Sequence, residues 1–347
     1  MSIPISRRAV VAGLACAPAA GCAALRDTER AVVQVNLADR PIASLPPPPV
    51  ETTGDGAPLK TSFDAVRRMT VPVFVNNSGP YEFVVDTGAN HSVMAIERAS
   101  ELQLPSAGRA AIHGIAGIDP AETVMVRSLS VGNVSSRRLR MPLRPRRHLG
   151  AEGLLGVNVL ANRRVKLDFR NNSFSISRSS RYSVEVGGHA TRLSRGDDSS
   201  VVVVPARQRF GQLTIVDAEF EGVPVTAFLD SGAETTVANL ACRNAILARE
   251  PWRASDFLTV QVVSATGQAV TGELSRIPPL RLGGMKIGNL LSVFADLHTF
   301  RIWDLQDSPA ILVGVDVMRN FDSIELDFGR SLVAFRTSAQ RPAPAGA

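Results

Sequence analysis

The sequence carries one short pattern twice, and this repeat constrains the fold more than any other feature. In residues 81–89 (YEFVVDTGA) and 223–233 (VPVTAFLDSGA), an apolar strand runs directly into an acid, a hydroxyl residue, a glycine and an alanine. Apolar runs of this kind indicate buried strands. An acid at the end of a buried strand is costly unless water, a partner or a function holds it there. The repeat therefore predicts that Asp86 and Asp230 belong to one shared site.

The residues that follow each acid suit such a site for separate physical reasons. A glycine permits a sharp turn with unusual backbone angles, and a small alanine lets another backbone approach closely. A hydroxyl side chain both donates and accepts, so it can hydrogen-bond across to the other copy. These predicted supporting residues are Thr87, Gly88 and Ala89 in the first copy, and Ser231, Gly232 and Ala233 in the second.

A pair of facing carboxyl groups has a specific chemistry. Two carboxylates a few ångströms apart cannot both ionise, so they hold one proton between them. One then acts as general base on a water molecule, while the other acts as general acid on a carbonyl. The alternative is that each acid merely closes a junction between a strand and a turn. The recurrence of the whole context favours the catalytic interpretation.

Each copy continues with a second matching segment. Residues 153–160 (GLLGVNVL) correspond to residues 311–318 (ILVGVDVM), and each is followed by a similar closing strand. The order and the residues resemble the retroviral-type (retropepsin-like) aspartic proteases, over about residues 66–178 and 200–338. The resemblance implies an all-β fold, namely the two-lobed, pseudo-twofold aspartic-protease (acid protease) barrel with a few short helices. It also implies that the apolar-apolar-Gly segment packs beneath the acids.

In that family a glycine-bearing hairpin, the flap, closes over the peptide and hydrogen-bonds to it. Each copy here offers its own flap candidate, and His113 precedes the first as a flap or loop histidine that could point at substrate. The second copy is longer, and its excess around residues 296–309 could line a subsite, shield the cleft or form a surface loop. The flap residues implied by the resemblance are Gly114, Ile115, Ala116 and Gly117 in the first copy, and Ala265, Thr266 and Gly267 in the second.

The first 22 residues predict an export signal of bacterial type. Arg7 and Arg8 precede an apolar, small-residue run that is too short to span a bilayer, and the pair resembles a twin-arginine signal. Residues 19–22 resemble a lipoprotein cleavage box, which makes Cys22 a candidate for lipidation; the alternative is plain signal-peptidase cleavage with soluble release. We therefore expect a periplasmic protein or a membrane-anchored lipoprotein facing the periplasm. Residues 23–62, which include a run of four prolines, predict a disordered tether.

Other function classes lack their signatures in this sequence. The five histidines show no metal-ligand spacing, and there is no nucleophile elbow or phosphate loop. The net charge of +6 depends on arginines that no aromatic platform accompanies, which disfavours nucleic-acid binding. We expect no metal and no cofactor.

The leading hypothesis is an exported aspartic endopeptidase that acts on a peptide or protein substrate, with the chain as a monomer. Because fold alone does not fix function, the alternative is a non-catalytic peptide-binding lipoprotein on the same fold. A further alternative is an oligomer in which each half pairs with the half of another chain. The predicted division of the chain is a first lobe at 63–178, a linker at 179–200, a second lobe at 201–338 and a disordered tail at 339–347.

Overall fold

The computed structural model of the chain describes Val32–Val33, Glu51–Thr52 and residues 56–179, 201–209, 211–215 and 218–337. The predicted export signal with Cys22, most of the tether, nearly all of the linker and the tail lie outside the described residues. Within the described ranges, no helix has the length and apolar character needed to cross a membrane.

Strands dominate the described chain and are numbered here in chain order. Those up to the end of the first lobe are β1 Val32–Val33, β2 Glu51–Thr52, β3 Leu59–Lys60, β4 Ser62–Phe63, β5 Met69–Val75, β6 Ser78–Val85, β7 Val93–Ala95, β8 Ser106–His113, β9 Ile118–Val131, β10 Val134–Arg144, β11 Gly153–Leu155, β12 Arg163–Asp168 and β13 Ser173–Arg178. Those of the second lobe are β14 Val201–Arg209, β15 Gln212–Ile215, β16 Ala218–Phe220, β17 Val223–Pro224, β18 Thr226–Leu229, β19 Val237–Ala238, β20 Leu258–Ser264, β21 Ala269–Ile277, β22 Leu280–Leu282, β23 Met285–Ile287, β24 Leu290–Phe294, β25 Ala310–Val313, β26 Ser323–Asp327 and β27 Leu332–Arg336.

The helices are few and short, and the longest has ten residues. They are α1 Ile96–Glu101, α2 Arg146–Leu149, α3 Val157–Leu160, α4 Leu240–Arg249, α5 His298–Ile302 and α6 Val315–Met318, with a 3₁₀ helix at Pro251–Asp256. The predicted all-β class with a few short helices is therefore confirmed.

The two lobes repeat one topology, which shows that the sequence repeat is a structural duplication. The strand order is β8-β9-β10-β7-β11-β6-β5 in the first lobe and β20-β21-β24-β19-β25-β18-β15 in the second. Parallel and antiparallel pairings also match at every step; for example, β11 runs parallel to β6 as β25 runs parallel to β18. The predicted two-lobed, pseudo-twofold architecture is confirmed by this correspondence.

The lobes differ in how far their sheets close. In the first lobe β9 pairs with both β10 and β5, so the sheet returns on itself as a six-stranded barrel. No pairing between β15 and β21 closes the second lobe among the described strands. The second lobe instead carries a separate four-stranded sheet, β17-β16-β22-β23, on its side.

A shared sheet joins the lobes. The closing strand of the first lobe, β12, pairs antiparallel with the closing strand of the second, β26, with Leu167 opposite Ile324. β13 and β3 extend this sheet on one side, and β27 and β14 extend it on the other. Backbone pairing draws β3, which lies within the predicted tether at 23–62, and β4, which begins at the last residue of that tether, into the first lobe. The composition of β3 did not reveal its pairing, because its partner β13 lies more than a hundred residues away.

Candidate active site

The two acids sit at equivalent ends of buried strands. Asp86 follows β6 directly, and Asp230 follows β18. The backbone N–H of Asp86 donates to Leu155 O at 3.0 Å, and that of Asp230 donates to Val313 O at 3.0 Å. The neighbouring strands β11 and β25 therefore anchor the two turns from beneath. Both acids are buried, with 2% and 0% of their surface exposed.

A glycine ends each anchoring strand at a place where only hydrogen fits. A Cβ on Gly156 would lie 2.5 Å from the carbonyl carbon of His91, and a Cβ on Gly314 would lie 2.8 Å from that of Thr235. The residue after each glycine closes the contact, because Val157 N donates to Ala89 O at 2.8 Å and Val315 N donates to Ala233 O at 2.9 Å. The apolar-apolar-Gly segments thus lie where the resemblance implied.

The hydroxyl residues of the two turns exchange hydrogen bonds across the lobes. Thr87 Oγ1 donates to Leu229 O at 2.8 Å and accepts from Ser231 N at 3.0 Å. Ser231 Oγ donates to Val85 O at 2.6 Å and accepts from Thr87 N at 3.1 Å. The exchange is reciprocal and buried, so it holds each acidic turn in a fixed position relative to the other.

The carboxyl of Asp86 lies directly against the second turn. A Cβ built on Gly232 would meet its Cγ at 2.3 Å, its Oδ1 at 2.4 Å and its Oδ2 at 2.5 Å. Gly88 N and Ala89 N donate to Asp86 Oδ1 at 3.0 and 2.8 Å, and Gly232 N donates to Asp230 Oδ1 at 2.9 Å. The structure thus brings the predicted acids and their supporting residues into one place, and glycine at 232 leaves the room that Asp86 occupies.

Burial changes the protonation of the first acid. It raises the pKa of Asp86 from 3.8 to about 6, against the opposing effects of the Arg68 charge and of the Ala89 and Gly88 amides. A carboxyl with a pKa near 6 keeps its proton in mildly acidic water, which suits a group that donates it in a reaction.

The sequence interpretation missed Arg68, which lies beside the acids on the residue before β5. Its side chain is 2% exposed, and it forms an ion pair with Asp64 at 2.6 Å. Its Nη1 donates to Gly232 O at 3.2 Å. A charge pair immediately before an apolar strand was the available signal, because isolated charges are seldom buried without partners.

The first flap is the turn between β8 and β9, and its tip is buried in the opposite lobe. Gly114 N donates to Gly117 O at 2.8 Å within the turn. Ile115 is 0% exposed and belongs to the buried cluster of the second lobe that contains Phe228 and Trp303. Ala116 remains exposed, and Gly117 adopts a φ of +146° with open space beside it.

The second flap, between β20 and β21, inserts into the first lobe. Ala265 is buried in a cluster of the first lobe that includes Val84 and Leu154. Gly267 has a φ of +82° and faces the ring of His148, which a Cβ would approach to 2.5 Å. A Cβ on Gly114 would lie 3.0 Å from the Thr266 side chain, so the two flaps touch. The two flaps therefore contact each other, and each inserts one buried residue into the opposite lobe.

The longer segment of the second lobe holds the first flap down. His298, at the start of α5, donates its backbone N–H to Ile115 O at 2.6 Å. Its Nε2 lies 3.0 Å from Nδ1 of His113. Trp303, in the same segment, is fully buried and stacks on Phe228 with ring centroids 4.4 Å apart. These contacts place residues 296–309 against the first flap and the core of the second lobe.

Among the side chains that the structure describes, no cluster of three or more His, Cys, Asp or Glu is arranged to hold a metal ion. The arrangement instead offers two buried carboxyl groups, fixed amide donors and two flaps that contact each other.

The fold and the paired acidic turns define the class as a two-lobed acid protease. A sequence profile of the Aspartyl protease family matches residues 71–159 and 216–317, with one acidic turn in each region. Because these regions make up more than half of the chain, the protein belongs to the aspartyl protease family, with two retropepsin-like units in tandem. A comparison with curated protein sequences gives no match.

Proposed function

We propose that the protein is an aspartic-type endopeptidase in which Asp86 and Asp230 together activate a water molecule to hydrolyse a peptide bond. The observation that carries this proposal is the contact between the two turns, in which the Asp86 carboxyl lies against Gly232 and the hydroxyls of Thr87 and Ser231 exchange hydrogen bonds. Such an arrangement gives one site with one acid from each lobe.

The reaction follows from the chemistry of the pair. Two neighbouring carboxyl groups hold a single proton, and burial favours the protonated form of Asp86 up to a pH of about 6. The ionised carboxyl takes a proton from water, whose oxygen attacks the peptide carbonyl, while the protonated carboxyl donates to the carbonyl oxygen. Transfer of a proton to the leaving nitrogen then completes cleavage. We expect an acidic pH optimum.

The substrate we propose is an extended peptide or a mobile segment of a protein. Flaps that are themselves hairpins offer backbone groups, so a peptide can bind as an added strand. Because both acids are buried and the two flaps contact each other, we expect at least one flap to open before substrate reaches the acids. Opening therefore precedes chemistry and is expected to contribute to the rate.

The decisive experiment is to incubate the protein with a mixed peptide library and identify products by mass spectrometry. We expect cleavage by the unaltered protein, and its loss in D86N, in D230N and with a pepstatin-type inhibitor. D307N changes an exposed acid of the second lobe and serves as the matched control. Peptide binding without products would overturn the proposal and support a non-catalytic peptide-binding lipoprotein.

We further propose that the protein is exported and anchored by a lipid on Cys22. The support is the Arg7–Arg8 pair, the apolar run and the small residues before Cys22. Metabolic labelling with palmitate should mark the full chain and the C16A control but not C22A. Label on C22A, or an unlabelled periplasmic protein, would contradict the lipid anchor.

A further inference from the structure

Arg68 is a buried charge at the acidic site that the proposed reaction does not itself require. Its side chain is 2% exposed. Burying a guanidinium is expensive unless its donors are satisfied by a counter-charge and by fixed acceptors. The groups that accept hydrogen bonds from the guanidinium therefore indicate the role of Arg68.

The guanidinium of Arg68 donates hydrogen bonds to three separate parts of the chain. Asp64, four residues earlier, accepts from Nε at 2.8 Å and also from the backbone N–H of Arg68. Leu149 O, at the end of α2, accepts from Nη2. Gly232 O, in the acidic turn of the second lobe, accepts from Nη1 at 3.2 Å. One planar group therefore ties the start of the first lobe to the active turn of the second.

The surroundings are shaped to admit this side chain. Gly150 adopts a φ of +76°, and a Cβ there would lie 2.8 Å from Arg68 Nη2. Gly232, whose carbonyl receives Arg68, is also the residue against which the Asp86 carboxyl lies. Arg68 and Asp86 thus contact the same glycine, one through its carbonyl and one at its α-carbon.

We propose that Arg68 is a positioning residue for the acid pair: it holds the second turn against Asp86, and its charge sets the pH range in which the pair carries one proton. The inference rests on the proposed function. It concerns Arg68 acting through Gly232 and through space, with no contact to substrate.

The electrostatic part of this inference has a definite sign. A cation beside two carboxyl groups favours their ionised forms, so its removal raises the pKa of the pair. This agrees with the effect of Arg68 on Asp86, because the guanidinium lowers the pKa of that carboxyl while burial raises it. Asp64 partly neutralises that cation, so its removal should act in the opposite direction. The titratable side chain next to Leu149 on α2 is His148, whose ring faces Gly267 of the second flap.

The test compares R68M, R68K and D64N in the full chain by two readouts. The first is the titration of the Asp86 carboxyl by ¹³C NMR, assigned with D86N, which needs no turnover. The second is the dependence of kcat/KM on pH. We expect R68M to move the titration and both limbs of the profile up by about 0.5 to 1 pH unit. D64N should move them down, and R68K should leave them within about 0.2 unit because it keeps the charge.

The double variant R68M/D64N guards against misfolding, because replacing both members of a buried pair is tolerated better than removing one. It restores the charge balance, so its titration should return toward that of the unaltered protein. Its kcat should remain at least about tenfold lower because the tie to Gly232 is lost. An unmoved titration in D64N or in R68M, or a normal kcat in the double variant, would overturn the inference.

Failure of the proposed function gives a different pattern. An unaltered protein that cleaves no peptide refutes the endopeptidase, while the Asp86 titration still reports whether Arg68 controls the acid. An unaltered protein that cleaves, with a pH profile that neither R68M nor D64N moves, refutes only the role of Arg68.

Discussion

His113 on the first flap and His298 on α5 of the second lobe stack with their rings 13° from parallel, and Nδ1 of the first lies 3.0 Å from Nε2 of the second. One nitrogen must donate and the other accept, so the contact requires at least one neutral ring. Burial lowers the pKa of both histidines; the charge of His298 adds to this for His113, and that of Arg301 adds to it for His298. Arg301 itself pairs with Asp296.

The first prediction is that acid loosens the first flap. A histidine whose pKa is lowered by folding binds its proton more tightly in the open state, so closure is fully stable above about pH 6.5 and weakens as pH falls through that value. We expect the exchange protection of the His298 amide, which donates to Ile115 O, to fall at least about threefold between pH 7.5 and pH 5, after correction for intrinsic rates.

Two glutamine variants and one control make this prediction specific. H113Q and H298Q should each weaken the pH dependence, and the double variant should abolish it, since glutamine does not titrate. The control is H91Q. His91 lies against Gly156, away from the His113–His298 contact, so this variant should keep the pH dependence. Equal pH dependence in all three variants would show that the flap responds to some other group.

The second prediction compares the effect of replacing a buried residue at the tip of the first flap with the effect of replacing an exposed residue on the same hairpin. Ile115 is 0% exposed within the second lobe, while Ile118, three residues later on the same hairpin, is 58% exposed. I115A should weaken closure by about 2 to 4 kcal/mol, because a buried isoleucine loses its transfer energy and leaves a cavity. I118A should stay within about 0.5 kcal/mol. Limited proteolysis of the flap measures both, and similar cleavage rates would contradict the buried tip.

The sequence predicted most of the fold because the repeat fixes local chemistry in both halves. Strands ending in Asp86 and Asp230, and glycines at 156 and 314, each have a physical reason that is readable from nearby residues. The strand pairing that completes the shared sheet was less accessible. β3 joins β13 through backbone hydrogen bonds, which leave no mark in the composition of residues 59–60.

The missed parts of the site depend on contacts between distant residues. Arg68 reaches Gly232 across 164 positions, and His113 reaches His298 across 185. The charge pair of Asp64 and Arg68 was a local signal, but neither pattern nor spacing identifies Gly232 as the partner of Arg68 or His298 as the partner of His113. Only the folded arrangement of the two lobes shows that these side chains meet.

The third prediction concerns the hydroxyl exchange. T87V removes the donor to Leu229 O and the acceptor for Ser231 N while nearly conserving volume. Because both partners are buried, the free energy of unfolding should fall by about 2 to 4 kcal/mol. T87S retains the hydroxyl and should lose less than about 1 kcal/mol. Urea denaturation measures both, and equal losses would show that the hydroxyl, which T87V removes, contributes no more than the methyl group, which T87S removes.

The fourth prediction is that Asp86 lowers the stability of the fold at neutral pH. Burial raises the pKa of its carboxyl from 3.8 to about 6, so the folded state holds a proton that the unfolded state releases. The stability from this proton is complete below pH 3.8 and is lost as pH rises through about 6. A shift of this size corresponds to at most about 3 kcal/mol.

D86N tests this directly, since asparagine keeps an oxygen to accept from Gly88 N and Ala89 N but carries no charge to desolvate. We expect its free energy of unfolding to exceed that of the unaltered protein by about 1 to 3 kcal/mol at pH 7 and to match it near pH 3.5. D307N, an exposed acid, should change neither value by more than about 0.5 kcal/mol. A D86N protein that is less stable at pH 7 would mean that the charged carboxyl is held by favourable contacts, and the acid would then be ionised throughout the working range.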